Sequence, residues 1–491
     1  MRTIRRTKIL ATLGPATDDP KVLRAVIAAG ADTVRLNFSH GTKEDHCKRA
    51  ETVREIARDL QRHIAILADL QGPKIRIARF RDNRKIQLLE GARFDIDPSF
   101  PPDDGDDVQV GCSYTPLPQD VAAGDHLLLN DGLIELRVDA VQGTRVCCTV
   151  VIGGELSNHK GINKKGGGLS AAALTDKDKE DLRTAVELGA DFMAISFPRT
   201  AADILEARAL LKQAGSDAAI VAKIERAEAL EPGVIEAIID ASDAIMVARG
   251  DLGVEIGDAQ LPWVQKELIK QARARNRIVI TATQMMESMI YNPQPTRAEV
   301  FDVANAVIDG TDAVMLSAET ASGKFPDRAV AAMHRVCLEA EKHPRARESD
   351  HRIDESFERI DEAIAMSAMY IANHLEVRAI GALTETGSTP LWMSRISSGI
   401  PIFALTPHER VCRKMTLYRG VYPITFHHKT ADHAILNKGI VEEFLKRGLA
   451  DMDDLVILTK GDLTGVKGGT NAVKISRIKD VLDVASGASV S

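Results

Sequence analysis

The chain has 491 residues, 44% of them hydrophobic and 27% charged, with a formal net charge of −7. That length exceeds one ordinary core and implies several domains, while the composition excludes extended disorder and no run approaches the roughly twenty apolar residues of a membrane span. The acidic balance argues against a nucleic-acid scaffold, yet it is compatible with local basic clusters at an anionic substrate.

Met1 to Lys8 is basic and leads into a strand with no apolar signal stretch. Short apolar runs that stop on polar or charged residues then alternate with segments of helical period. Strands are predicted at Lys8 to Thr12, Thr33 to Asn37, Ile64 to Asp69, Phe192 to Ser196, Ala219 to Lys223, Ala244 to Arg249, Ile278 to Thr281 and Ala313 to Ser317. The intervening helices are predicted at Lys21 to Ala29, Glu44 to Gln61, Asp176 to Leu188, Ala201 to Gln213, Ala227 to Ile239, Pro262 to Arg275, Arg297 to Ile308 and Asp327 to Glu341. Thr175 precedes one helix as an N-cap, Gly30, Gly189 and Gly310 stop others, and Pro326 sits near a first turn. This alternation predicts an α/β chain with a (β/α)8 TIM barrel over residues 1–72 and 167–344.

One connection breaks the rhythm. From Pro73 to Gly166 the chain is rich in Gly, Asp and Pro, with β formers at His126 to Leu129 and Arg145 to Ile152. A small β-barrel domain, residues 73–166, is therefore expected in a barrel loop, where it grows from the catalytic face and can act as a lid. After Pro344 a charged stretch, Arg345 to Arg352, leads to a helix at Glu355 to His374 and strands at Arg378 to Leu383, Pro401 to Leu405, Gly420 to Ile424 and Asp454 to Thr459. Residues 345–491 read as a second α/β domain with an open sheet, and no short internal repeat is evident.

Barrels of this kind do chemistry at the carboxyl ends of their strands. Those ends carry Arg35, Asn37, Asp69, Lys223, Glu225, Asp251, Thr283, Ser317 and Glu319, although buried parallel strands are otherwise apolar. Glu225 and Asp251 leave adjacent strands and supply hard oxygen ligands suited to Mg²⁺ or Mn²⁺, with room left for substrate oxygens. Taken alone, Lys223 and Glu225 also fit an ordinary salt bridge at the rim. Gly250 lets backbone approach a ligand, and a helix start at Gly250 and Asp251 suits a substrate carboxylate. Arg35 and Arg76 add guanidinium groups that bind phosphate in a forked manner. A metal, a lysine and two arginines neutralise charge along a line of phosphoryl transfer. Thr283, Ser317 and Glu319 could hold or relay a proton at a carbon centre, or the hydroxyls could simply cap the following helices.

Several segments closely resemble the pyruvate kinase family: Asn37-Phe38-Ser39-His40-Gly41, Gly72-Pro73-Lys74-Ile75-Arg76, Lys160-Gly161-Ile162-Asn163, Lys223-Ile224-Glu225, Met246 to Ile256, Ala282 to Met289 and Pro295 to Glu319. The resemblance implies phosphoryl transfer from phosphoenolpyruvate to Mg-ADP and protonation of the enolate, giving pyruvate and ATP in glycolysis. Carried over by position, Lys223 stabilises the phosphoryl group and Glu225 and Asp251 hold the divalent ion. Arg35, Gly250, Asp251 and Thr283 contact substrate, while Asn37, Ser39, His40, Arg76 and Lys160 lie on the nucleotide or phosphate side. It also implies a cytoplasmic homotetramer.

The chain departs from the family in one place. Many members bind K⁺ and carry Asp-Thr-Lys-Gly-Pro-Glu where this chain has Asp69-Leu70-Gln71-Gly72-Pro73-Lys74. Lys74 takes the Glu position and Leu70 removes a hydroxyl, so a tethered ammonium is expected to replace K⁺ by ordinary Coulomb logic. The run Thr384-Glu385-Thr386-Gly387-Ser388-Thr389 opens a helix and suits a phosphate; the family binds phosphorylated effectors in the matching loop, and a sugar phosphate or AMP is expected there. The loop Lys460 to Asn471, with Lys467, is expected to close over it. An unliganded turn with a helix cap fits the same residues.

The six cysteines lack CxxC or CxxxC spacing, which points to plain thiols in a reducing cytoplasm. His427, His428 and His433 have no Cys or acidic partners at ligand spacing, and Met285, Met286 and Met289 read as packing. Two other classes stay open: a synthase or dikinase barrel that handles phosphoenolpyruvate, which lacks a candidate histidine domain here, and a non-catalytic sugar-phosphate sensor, which would be expected to have lost Lys223 or a metal carboxylate.

Overall fold

The structure, a computed structural model, describes residues 4–347, 356–428, 432–462 and 468–486. Lys467, residues 348–352 of the charged stretch and Glu355 lie outside the described residues. Eight parallel strands close into a barrel: Lys8–Leu13, Thr33–Asn37, Ala65–Asp69, Phe192–Ile195, Ala219–Ile224, Ala244–Ala248, Ile278–Ala282 and Ala313–Leu316. The first pairs with both the second and the eighth, which completes the ring. Every residue of the first, third, fourth, fifth, sixth, seventh and eighth strands is buried, because helices cover the outside and side chains fill the inside.

The barrel helices fall within a residue or two of their expected bounds, with one exception, whereas the helix expected at Glu355 to His374 begins only at Ile360, where Arg359 leaves extended backbone. The stretch from Ala227 to Ile239 is a 3-10 turn, Ala227–Leu230, followed by a separate helix, Val234–Ala241. Pro232 cannot continue the hydrogen-bond ladder and Gly233 takes φ +83°, so the helix restarts there.

The floor of the barrel carries a device that the sequence did not disclose. Asp32, Asp191, Asp243 and Asp312 each immediately precede an even-numbered strand, and each accepts a backbone N–H from the odd-numbered strand before it: Ile9 at 2.9 Å, Ile66 at 3.0 Å, Ile220 at 2.8 Å and Val279 at 2.9 Å. Each carboxylate also meets an arginine: Arg5, Arg54, Arg208 and Arg395 respectively. The barrel is thus stitched as four strand pairs.

Between the third strand and Asp176 the chain forms a mainly β insert, with one short helix, Leu117–Asp120. Its six-stranded sheet runs in the order Ile162–Lys164, His126–Leu129, Ile134–Gln142, Arg145–Ile152, Asp95–Ile96 and Gln109–Val110, and Ile86–Leu88 pairs with Gly154–Leu156. Phe80, Phe94, Leu117 and Leu136 fill its own core.

The carboxyl-terminal sheet has the order Val421–Thr425, Ile402–Thr406, Ala379–Leu383, Leu455–Gly461 and Thr470–Arg477. The first four are parallel and match the expected strands; the fifth is antiparallel and occupies the edge. Its mixed sequence, half exposed, gave no clear strand signal. This sheet's helix Ser388–Arg395 ends on Arg395, which is 1% exposed and paired with Asp312 on the barrel floor. Arg413 reaches Asp191 in the same way at 2.8 Å.

Candidate active site

Because the barrel strands are parallel, their carboxyl ends meet at one mouth. Lys223, next to last in the fifth strand, points its ammonium at three oxygens: Ser196 Oγ at 2.8 Å, Glu225 Oε1 at 2.9 Å and Asp69 Oδ1 at 3.3 Å. Asp69, at the end of the third strand, also accepts Arg35 Nε at 2.5 Å from the second strand. Arg35 is held from its other side by Thr12 Oγ1 at 3.2 Å. Four charges from the ends of three strands, the second, third and fifth, are therefore locked into one cluster.

Burial works against every charge here, and the partners decide the result. Burial opposes the Lys223 ammonium, but Asp69 and Glu225 outweigh it and hold its pKa above the ordinary lysine value. Burial likewise opposes the Asp69 carboxylate, but Arg35 and Lys223 hold it below the usual range. Glu225 differs: burial, reinforced by the Asp251 and Asp69 charges, exceeds the help from Lys223 and raises its pKa. One carboxylate of the cluster is thus short of positive charge.

Asp251 lies in the first turn of a helix, Arg249–Ile256, that starts directly at the end of the sixth strand. Its Oδ1 accepts the Lys74 ammonium at 3.0 Å. Gly250 N–H donates to Thr283 Oγ1 at 2.9 Å, so the expected substrate contacts Gly250 and Thr283 touch each other. Thr283 and Gln284 hold φ of +69° and +54°, and Phe197 after the fourth strand holds +55°. Such values are costly for a β-branched or bulky residue and persist only where neighbours enforce them. Arg249 does so for Thr283: its guanidinium donates to the Thr283 carbonyl at 2.5 Å and the Ala282 carbonyl at 3.2 Å, anchored by Asp302 at 2.7 Å. Phe197 N–H is held by Glu225 Oε2 at 2.9 Å.

Glu319 is buried and accepts backbone N–H groups of Met286 at 3.1 Å and Ser317 at 2.6 Å. Its bonds brace the loops after the seventh and eighth strands. Ser317 Oγ is buried without a hydrogen-bond partner. Asn37 folds the next loop by accepting Ser39 N–H on its side chain at 3.2 Å and His40 N–H on its carbonyl at 3.1 Å. Arg76 bridges to Gly161 and donates to the His159 carbonyl at 2.9 Å, which places it with Lys160 where the β insert joins the barrel. The Thr384–Thr389 loop lies in the other α/β unit: Gly387, at φ +86°, donates to Thr384 Oγ1 at 2.9 Å, and Thr389 pairs with Thr470 at 2.9 Å.

Among the described residues no group of three or more His, Cys, Asp or Glu is arranged to hold a metal. Glu225 and Asp251 still fit a Mg²⁺-type ion, which takes one or two carboxylates and completes its shell with substrate and water oxygens. Their mutual repulsion, and the ammonium already drawn to Asp251, show a place that favours positive charge.

Sequence reasoning placed Asp69 at a strand end without a role and gave none to Ser196, Thr12 or Arg249. A carboxylate inside the apolar run Ile64 to Asp69 was the available signal for Asp69. Arg249 gave the same signal at the end of the run Ala244 to Arg249, but its role was hidden because the backbone it supports is strained only in three dimensions.

Comparison with known proteins gives the family. A family model described as "Pyruvate kinase, barrel domain" matches residues 4–330, and one described as "Pyruvate kinase, alpha/beta domain" matches residues 362–476. The chain is 56% identical over 480 residues to pyruvate kinase II of Salmonella typhimurium, covering 97% of this chain and all of that one. It is 56% identical over 462 residues to a pyruvate kinase of Haemophilus influenzae, covering 94% and 96%. A crystal structure of a pyruvate kinase from Cryptosporidium parvum superposes with a TM-score of 0.89 at 33% identity, over 96% of each chain. With both family models matched in order and relatives aligned over nearly the whole length, the chain belongs to the pyruvate kinase family and is a phosphotransferase.

Proposed function

We propose that the chain moves the phosphoryl group of phosphoenolpyruvate to Mg-ADP: the bond from phosphorus to the enol oxygen breaks, a bond to the terminal ADP oxygen forms, and the enolate takes a proton at carbon to give pyruvate. The observation that carries this reading is the buried Lys223 ammonium, fixed between Asp69, Ser196 and Glu225. A fixed, desolvated cation acts on charge that spreads over the phosphoryl oxygens as they transfer. Glu225 and Asp251 would hold the divalent ion, which when bound supplies further charge neutralisation at those oxygens. Arg35 orients the phosphate, Gly250 and Asp251 face the carboxylate, and Thr283 presents its hydroxyl at the carbon that takes the proton. Ser317 and Glu319 support that loop. Asn37, Ser39, His40, Arg76 and Lys160 serve the nucleotide side, with the insert, residues 73–166, as a lid.

Lys74 replaces K⁺ in this reading, supported by its ammonium standing 3.0 Å from Asp251. Phosphorylated effectors, sugar phosphates or AMP, bind at Thr384, Thr386, Gly387, Ser388 and Thr389, whose hydroxyls and N–H groups cluster in one turn. A cytoplasmic location is supported by six cysteines that are all free. No helix among the described residues is long and apolar enough to cross a membrane.

The test is pyruvate formation from phosphoenolpyruvate, ADP and Mg²⁺ in a tetramethylammonium buffer, with K⁺ then added. Strong activity before K⁺ supports both the transfer and the role of Lys74. Activity only after K⁺ keeps the transfer and removes the Lys74 reading; silence throughout, also with AMP and sugar phosphates present, sinks both. Rates that stay unchanged across that effector panel remove the regulatory reading.

A further inference from the structure

The β insert crosses to and from the barrel twice, and both crossings are tied to one short helix. On the outward crossing, Lys74 is paired with Asp251 in the first turn of the helix Arg249–Ile256. On the return, Asn163 Nδ2 donates to Glu255 Oε1 at 3.3 Å, one turn further along the same helix, and Gly166 N–H donates to the Glu255 carbonyl at 3.0 Å. The other carboxylate oxygen of Glu255 accepts Ala227 N–H at 2.8 Å, so this buried side chain joins insert and barrel.

The return segment is built to bend. Gly166, Gly167 and Gly168 hold φ of +80°, +80° and +96°, a left-handed run open to glycine alone. It lies over Glu228, whose Oε2 accepts Gly168 N–H at 3.2 Å, and a Cβ added at Gly167 would stand 2.2 Å from that oxygen. Arg226 completes the contact by donating to the Leu169 carbonyl at 2.5 Å and to Glu228 Oε1 at 3.3 Å.

We propose that Glu255 is the latch of the lid: a positioning residue that fixes the return hinge, assisted by Glu228, to the helix that also bears Asp251. A glycine run gives the hinge freedom, and the carboxylates limit it. Glu255 lies four residues beyond Asp251 on one helix, and Glu228 lies three beyond Glu225 in the turn that follows the fifth strand, so the lid's resting position is set from the same two loops that carry the proposed metal carboxylates. The further statement that the latch serves nucleotide binding rests on the lid reading given above.

The test is amide hydrogen exchange of the full chain, read over residues 161–170 and over the barrel strands, together with steady-state kinetics. For Glu255→Ala we expect hinge exchange at least about 10-fold faster, barrel-strand exchange unchanged, and a raised KM for ADP with the KM for phosphoenolpyruvate held within about twofold. Glu255→Gln, which keeps an acceptor for Ala227 N–H and can donate to the Asn163 side-chain oxygen once that amide turns over, should hold hinge exchange near that of the parent. Asn163→Ala removes the bond from the lid side and should loosen the same segment, which keeps the test open if Glu255→Ala fails to fold. Unchanged hinge exchange in a folded Glu255→Ala or Asn163→Ala overturns the latch, as does acceleration spread equally through the barrel. Faster hinge exchange with unchanged ADP kinetics upholds the latch and overturns the lid's nucleotide role.

Discussion

Lys223 and Glu225 form one ion pair yet stand in different electrostatic situations. The lysine has two carboxylates against one arginine, whereas the glutamate has one lysine against two carboxylates and full burial. For Lys223→Met, loss of the fixed cation should lower phosphoryl transfer by about 10²–10³-fold or more, judged from the removal of comparable transition-state donors. Metal-dependent exchange of the pyruvate methyl protons should persist in part, because Thr283 and the carboxylates remain. Full kinase activity in that variant would sink the role assigned to Lys223. For Glu225 the pKa lies above the usual 4.5, so the group takes up a proton, and loses its hold on a cation, at a higher pH than an ordinary glutamate. The rate kcat/KM should then fall as pH drops toward that raised value, and higher Mg²⁺ should shift the fall to lower pH by competing with the proton. A limb that ignores Mg²⁺ concentration would assign it to another group.

Glu255 shows how an ionisation enters stability. Burial leads the causes that raise its pKa from 4.5 to about 7, with the Glu228 charge adding and Arg226 opposing. Between those values the folded chain binds more protons than the unfolded one, so this group lowers stability progressively as pH rises from 4.5 to about 7, and fully above it. Glu255→Gln should therefore stabilise the chain at pH 8, by up to about 3 kcal/mol, and by nothing near pH 4. Denaturant unfolding of both chains at the two pH values decides it, and an equal difference at both would show that the gain is not electrostatic.

At the scale of elements, the four aspartates beneath the barrel make the clearest structural case. Asp312 accepts Val279 N–H at 2.9 Å, receives Arg419 N–H at 3.2 Å and pairs with Arg395, which is buried as fully as it is. Removing one member of such a pair strands the other, at a cost of about 3–5 kcal/mol, whereas removing both costs less. Asp312→Ala should thus unfold at much lower denaturant than Asp312→Ala combined with Arg395→Met. If the double variant were as weak as the sum of its single ones, the pair would hold no coupling.

The barrel itself was legible because period and punctuation agree. Apolar runs ending on polar residues gave the strands, and Thr175 and Gly310 gave a helix start and a stop that the structure retains. The aspartate ring was not legible: each Asp looks like a loop residue before a strand, and its partner lies on a strand some 23 to 125 residues away. The active site divides the same way. Lys223, Glu225 and Asp251 stand out as charges at strand ends, but the left-handed Thr283 and its Arg249 clamp are properties of a folded loop.

For the whole molecule, the remaining question is how copies assemble. Exposed large apolar side chains occur on both the barrel and the carboxyl-terminal unit. On the barrel, Trp263, Tyr291 and Phe301 are about 70% exposed, two of them on the helices Leu261–Ala274 and Arg297–Asp309. On the carboxyl-terminal unit, Ile360 and Tyr370 of the helix Ile360–His374 stand open beside the edge strand Thr470–Arg477, which shows Ile475. Exposed large side chains grouped in this way mark surfaces that bind, and an open strand edge invites pairing. A homotetramer with two kinds of two-fold contact needs two self-complementary patches per chain, and we propose these two for it. We therefore expect Phe301→Glu to break one contact and leave dimers joined through the carboxyl-terminal units, and Tyr370→Glu to leave dimers joined through the barrels. Combining them should give monomers, all read as mass by light scattering. Asp302, next to Phe301, anchors the Arg249 clamp on Thr283, so Phe301→Glu should also lower kcat, whereas Tyr370→Glu should leave it nearer that of the parent. A parent that is already monomeric, or a Phe301→Glu chain that keeps the full mass, would remove the assembly drawn from these patches.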